Sequence, residues 1–399
     1  MSKRVKIAIL SWETLHGPAW TDAAIIASET ARALVVAGHE VHVFTACGPR
    51  QAAEGHFDGV HYHRCAHDAD PNPSEETRNF TSAVLARLRR AEEGERFAVV
   101  HGFEWPTAAI LGELRRTGEH TTAWSFSRPD HGWEPPVWML DRPNLEPTWS
   151  YHPDDFADRI FAPEEDLKRS FLAHWGLPWG RVEILYPGID PNWPGPPIDP
   201  AQVKAALGCK TFDPVVLASG HLTPEARPGL LLEAMPLVLE KHPNAKVIFA
   251  GDGEMIEFLT DRTRVLNIEQ AVRLTGEVSD RDLAQLCQAS DVICLPQRTR
   301  SLVSPCLNAW AAAKPVVIAR GNAAAAFVWH DVTGCVTEDT SAGLASGVLS
   351  LFEDFERCRL LGANGRRAVE DAFGWPTISG QLLHSYRQAT AETGIATII

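Results

Sequence analysis

No stretch of this 399-residue chain reaches the about 18–20 consecutive apolar residues that a membrane-spanning helix needs. The opening decapeptide, MSKRVKIAIL, has too short an apolar run for a secretory signal and leads straight into a strand-like segment. These two absences predict a cytoplasmic protein without a transmembrane segment, peripheral membrane association being left open. Positive charge is scarce as well: 37 Lys and Arg stand against 51 Asp and Glu, a formal net charge of −14. Nucleic acids and acidic membranes favour a basic patch, so no nucleic-acid partner is expected. Internal sequence repeats and low-complexity tracts are missing. Without a secretory signal the 8 cysteines read as reduced thiols. Cys287, Cys294, Cys306 and Cys335 lie in apolar or small-residue surroundings, where cysteine behaves as a small hydrophobe.

What is present is an ordinary globular composition, 45% hydrophobic and 22% charged, long enough for two domains with separate cores. Apolar strands alternate with helical segments from the start. Val5–Leu10 reads as a strand, Ala23–Ala37 as a helix capped by Gly38, and Glu40–Thr45 as the next strand. Further strands are expected at 59–65, 99–103, 121–126, 159–162 and 182–186, with helices over 75–93, 106–117 and 164–174. The proline-rich run 187–200 reads as a linker, after which the alternation restarts at 214–220 and continues to the end. The fold class is therefore α/β, with two doubly wound Rossmann-like domains and ligands expected at the carboxyl ends of their strands, facing a cleft.

Two segments stand apart. On a strand, His61, His63, Cys65 and His67 share one face, a metal-like spacing whose alternative is a strand with a solvated histidine face. The second alternative is adopted, and no metal is expected. Residues 128–149 carry five prolines and three tryptophans. They read either as a loop stacking indoles on a sugar acceptor or as a rigid surface loop.

The motifs come in a fixed order. Gly38-His39-Glu40-Val41-His42-Val43 follows the first helix; Val100-His101-Gly102-Phe103-Glu104-Trp105 is similar to H-x-H-D-W; Tyr186-Pro187-Gly188-Ile189-Asp190 is similar to Y-N-G-V-D. Gly220-His221-Leu222-Thr223-Pro224-Glu225-Ala226-Arg227 is similar to G-R-L-x-x-E-K-G, and Phe249-Ala250-Gly251-Asp252-Gly253 to V-G-x-G. The segment 291–334 is similar in its strand–loop–helix–strand layout to E-P-F-G-x-x-x-x-E-A-x-x-x-G-x-P-V-V, aligned on Ala309 and Pro315-Val316-Val317. Over nearly its whole length the chain resembles the family 4 glycosyltransferases of GT-B fold. The resemblance implies an N-terminal acceptor-side domain over 1–190, a nucleotide-sugar domain over 201–374, and a C-terminal helix, 375–399, that crosses back to the first domain. It also implies transfer of a sugar from a UDP-, GDP- or ADP-sugar with retention, and no further cofactor.

The residues carrying that chemistry in the family are substituted. Its two glutamates fall on Arg300 and Asn308, and its diphosphate-binding Arg and Lys on His221 and Ala226. Arg227 sits one residue later, about 100° around a helix start. The second histidine of H-x-H-D-W falls on Phe103, and the first glycine-rich loop is reduced to Gly17 with Asp22 nearby. Donor-side candidates are thus His221, Arg227, Arg300, Asn308 and Gly253; acceptor-side candidates are Gly17, His101 and Glu104. Three functions follow: a catalytically impaired partner of an active glycosyltransferase, an active retaining enzyme with a remodelled site, or a nucleotide- or phosphate-binding module. Under the second, Arg298, Arg300, Lys314 and Arg320 would supply cations.

Overall fold

Strands that read as unbroken apolar runs belong inside parallel sheets covered on both faces, and two such sheets form here. The computed structural model describes residues 4–16, 22–48, 50–126, 152–297 and 304–394. Its two compact units comprise residues 1–188 with 375–399, and residues 189–374.

In the first unit, β1 (Lys6–Ser11), β2 (Glu40–Ala46), β3 (Glu54–Phe57), β4 (Val60–Cys65), β5 (Val99–Phe103), β6 (Thr121–Ser125), β7 (Arg159–Ala162) and β8 (Val182–Ile184) make one sheet. Its order is β3-β4-β2-β1-β5-β6-β7-β8, so the chain reverses its direction of growth between β1 and β5. The accompanying helices are α1 (Asp22–Val36), α2 (Pro73–Ala91), α3 (Ala108–Thr117), the short α4 (Pro153–Phe156) and α5 (Glu165–Trp175). Ile7, Ile9, Val41 and Val43 pack on Ala27, Ala31 and Leu34 of α1, while Ala8, Leu10 and Phe44 pack on Phe80, Val84 and Leu88 of α2. Local sequence sets the helix ends: Asn72 accepts from the Ser74 amide ahead of Pro73, and left-handed Gly118 and Gly176 close α3 and α5.

The second unit repeats the plan with β9 (Val215–Ser219), β10 (Lys246–Ala250), β11 (Val272–Leu274), β12 (Val292–Leu295), β13 (Val316–Ala319) and β14 (Gly334–Thr337). All are parallel in the order β11-β10-β9-β12-β13-β14. Between and after them run α6 (Pro200–Ala206), α7 (Pro228–Lys241), α8 (Ile256–Val265), α9 (Asp280–Ala289), α10 (Ser304–Ala311), α11 (Ser341–Phe352) and α12 (Phe355–Ala368). From Ile189 onward the proline-rich run is tied to this unit. Gln288 Nε2 donates to the Pro194 carbonyl at 2.6 Å, and the Ile189 amide to Phe373 O at 2.9 Å. Prolines lack N–H donors but keep their acceptors, and these hold the run in place.

The last helix, α13 (Trp375–Thr393), completes the first unit's core with Leu382, Leu383 and Tyr386. One feature of that unit was not anticipated from sequence. The edge strand β3 pairs antiparallel with β4 through a turn at Asp58 (φ 51) and Gly59 (φ 80). An Asp-Gly pair with both φ positive suits a two-residue hairpin turn, a signal available in the sequence.

Two predictions follow from this architecture. At the end of α10 the Lys314 amide donates to Ala309 O and the Ala313 amide to Trp310 O, with Ala313 left-handed at φ 54. Glycine is favoured there because a Cβ is strained in that conformation. Ala313→Gly should raise stability by roughly 1 kcal/mol, net of glycine's entropy, read as a higher urea midpoint. The second concerns His101 on β5, fully buried, whose Nδ1 lies 2.6 Å from Tyr386 OH and Nε2 2.8 Å from Ser125 Oγ. Burial holds its pKa down at about 3. The unfolded chain therefore takes up a proton below about pH 6.5 that the folded chain refuses, and stability falls as pH drops from there towards 3. His63, also held at about 3 by burial, acts in the same direction. Urea titrations at pH 5 and 7 should show a shallower pH slope for His101→Asn than for wild type, by up to about 1.4 kcal/mol per pH unit.

Candidate functional site

Open parallel sheets bind ligands beyond the carboxyl ends of their strands, where strand order reverses. In the second unit that point lies between β9 and β12, and a hollow of about 180 Å³ opens there. Ser219, His221 and Ala226 line it from the β9 side, Pro296 and Gln297 from the β12 side, and Pro305 from the first turn of α10. A second hollow, of about 560 Å³, adjoins it beyond β10 and shares Gly220 and His221. Asp252 and Glu277 are its charged side chains, and Val278 and Leu283 add apolar surface.

Close backbone contacts hold the loops that carry these walls. The Gly220 amide donates to Ala250 O at 3.0 Å and the Leu222 amide to Asp252 O at 2.8 Å, clasping the loops after β9 and β10 together. Gly251 has φ 150, and a Cβ there would lie 2.0 Å from Gly220 O; at Gly253, φ 152, it would lie 2.5 Å from Leu222 O. Gly253, expected as a donor-binding residue, thus has a packing reason to be glycine, and it also lines the second hollow.

The remaining donor-side candidates are placed unevenly. His221 is exposed and borders both hollows, and Ala226 borders the first. Arg227 caps α7 in a left-handed conformation (φ 51), and its guanidinium is ion-paired with Asp339. Asn308 is half-buried one turn into α10 and lines neither hollow. Arg298 and Arg300 lie outside the described residues. Of the other cations, Arg320 follows β13 at the carboxyl end, largely exposed and paired with Glu338 at 3.3 Å. Lys314 corrects the expectation: it precedes β13, at the amino end of the sheet. There burial lowers its pKa while the nearby Asp291 partly offsets that effect. In a parallel sheet that end is remote from the ligand position.

On the acceptor side, Gly17 and the segment 128–149 lie outside the described residues. His101 corrects a second expectation. It is fully buried with both ring nitrogens hydrogen-bonded, so it braces β5 against α13 and β6 instead of facing a ligand. Phe103 stacks on it, ring centroids 4.5 Å apart. Glu104 does reach a hollow, a narrow apolar one of about 30 Å³ also lined by Phe103, Ser125, Tyr186 and Trp375. Its backbone is strained (φ 61, ψ 171) and is held by the Glu104 amide donating to Ser125 O and by Trp124 Nε1 donating to Glu104 O. Among the described residues, no set of three or more His, Cys, Asp or Glu could hold a metal ion.

Residues 23–193 match the family model for Glycosyltransferase Family 4, and residues 201–368 that for Glycosyl transferases group 1. The chain belongs to the family 4, group 1 glycosyltransferases. An uncharacterized glycosyltransferase of Methanocaldococcus jannaschii is 23% identical over 98% of this chain and 100% of its own. A D-inositol 3-phosphate glycosyltransferase of Frankia alni is 27% identical over 92% of this chain and 94% of its own. The fold is GT-B: the Anabaena protein HepE, solved in complex with UDP, superposes with a TM-score of 0.72 over 96% of this chain and 100% of that one, at 18% identity.

Sequence reasoning overlooked Asp252, Glu277 and Asp339. The first two follow β10 and β11, so strand ends were the available signal; the Asp339 contact joins residues 112 apart and left none. Gly251→Ala should destabilise the second unit by about 2 kcal/mol or more, because a Cβ clashes with a carbonyl that cannot move without breaking the clasp. Chemical denaturation monitored by tryptophan fluorescence measures this, with Gly180→Ala, where a Cβ meets open space, as the control.

Proposed function

We propose that this protein is a pseudo-glycosyltransferase of glycan biosynthesis: a cytoplasmic family 4 scaffold that does not transfer sugar by the usual route and acts beside a catalytically complete glycosyltransferase. One observation carries the reading. Among the described residues lining the two hollows of the second unit there is no lysine or arginine, while Asp252 and Glu277 contribute carboxylates. Departure of a nucleoside diphosphate builds negative charge that must be met by cations or oriented N–H groups, and one such donor is worth about 3–4 kcal/mol. His221 and Ala226 stand where the resemblance puts the cationic pair, and Arg227 is neutralised by Asp339. Carboxylates near the leaving group oppose the charge that has to develop.

A second reading, an active retaining enzyme with a remodelled site, is favoured by the preserved backbone. Gly220, Gly251 and Gly253 still bring main chain close to main chain around the hollow, the framework that a nucleotide-sugar donor needs. Calorimetry with UDP, GDP and ADP, together with a sugar-nucleotide hydrolysis assay, separates the two. The pseudoenzyme reading expects no release of nucleoside diphosphate and binding no tighter than the millimolar range, about −4 kcal/mol. The combined variant His221→Arg, Ala226→Lys, Arg300→Glu and Asn308→Glu should bind UDP-, GDP- or ADP-sugars more tightly than wild type. Micromolar binding with measurable release by the wild type would establish the remodelled enzyme instead; micromolar binding without release would leave a nucleotide-binding module.

A further inference from the structure

The structure groups histidines differently from the sequence. Along β4 and just beyond it, the set His61, His63, Cys65 and His67 does not assemble. His63 Nε2 lies 2.8 Å from His42 Nδ1, and His42 Nε2 lies 3.0 Å from Glu40, so this pair of rings is committed to a hydrogen-bonded chain. Cys65 is buried, and His67 Nδ1 is 3.1 Å from the Cys65 carbonyl. Across the hairpin, however, His56 on β3 stands directly opposite His61 on β4.

We propose that His56 and His61 form a bidentate site for a borderline transition-metal cation, Cu(II), Ni(II) or Zn(II), on the edge of the first unit's sheet. The register carries this assignment. The Arg64 amide donates to Ala53 O at 2.8 Å, which makes that pair, and alternately Gly55–Tyr62 and Phe57–Val60, the hydrogen-bonded positions. His56 and His61 therefore occupy a non-hydrogen-bonded position, where opposed side chains approach most closely, with Cβ atoms about 4.5–5.5 Å apart. Their ring centroids are 4.6 Å apart at 67°. Imidazole nitrogens about 3 Å apart can share one ion at metal–nitrogen distances of about 2.0–2.1 Å, which rotation of two exposed rings reaches without moving the backbone.

Rigidity and access support the pairing. The two-residue Asp58-Gly59 turn fixes the register, and β3 is the outermost strand, so the site opens to solvent on its free edge. Both rings are exposed and make no hydrogen bond to another described residue. Because no third protein ligand is in place among the described residues, water fills the other positions, and Cu(II) binds more tightly than Ni(II) or Zn(II).

Calorimetric titration of the chelator-treated full chain with CuCl2 and with NiCl2 tests the site, with wild type compared against His56→Asn, His61→Asn and the control His384→Ala. The expected result is one saturable Cu(II) site per chain, weakened at least tenfold by either hairpin substitution and unaltered by the control. The bound Cu(II) should show hyperfine coupling to two imidazole nitrogens. Circular dichroism checks that each variant is folded, and the spin-resonance spectrum of the wild type stands independently of any substitution. No saturable binding, or binding undiminished in both hairpin variants, would overturn the assignment.

Discussion

The second unit depends on one close approach of main chain to main chain. After β9 and β10 the chain turns through Gly220, Gly251 and Gly253, and the gap between the two loops leaves no room for a Cβ at either of the latter positions. The Gly220 and Leu222 amides close this clasp onto Ala250 and Asp252. Because glycine backbone forms the clasp, the close approach of the two loops makes no demand on the side chains at 221 and 226. Chemistry at those positions can change while the fold survives.

That separation lets the scaffold and the lining of the hollow vary independently. Hydrophobic burial maintains β9, β12 and β13 with Val216, Leu217, Ile293, Val317 and Ile318 fully inside, and this large favourable term makes no demand on the residues that would contact a ligand. Electrostatics at the rim follows its own logic. Arg227 turns to Asp339 rather than towards a phosphate, and Asp252 and Glu277 give the adjoining hollow an acidic edge.

In the first unit the corresponding constraint is a buried polar contact. His101, Tyr386 and Ser125 satisfy one another around the fully buried imidazole, joining β5, α13 and β6. A buried polar group without a partner is expensive, so the contact fixes the register of the last helix against the sheet. Arg159 reinforces it from the surface, pairing with Glu392 near the end of α13. The same arrangement explains why the histidine in a motif that suggests acceptor chemistry serves as a brace here.

Periodicity made most of the architecture legible. The strands at 99–103, 159–162 and 292–295 and the helix at 228–241 are local signals, since burial on both faces writes a continuous apolar run and a helix face writes a 3.6-residue repeat. Motif order likewise gave the family from residue identity alone. Side-chain environment was not legible, because it is set by partners far away in the chain. His101 meets Tyr386 from 285 residues away and Arg227 meets Asp339 from 112, and nothing near either residue announces its partner. Lys314 reads as close to the site in sequence, yet the direction of β13 carries it to the opposite end of the sheet. His61 has three chemically apt neighbours within six residues in sequence, but strand pairing puts His56 and His42 beside it instead. Local sequence thus determined which segments become strands and helices; only the tertiary structure decided which side chains meet, because pairing register and strand direction are long-range properties.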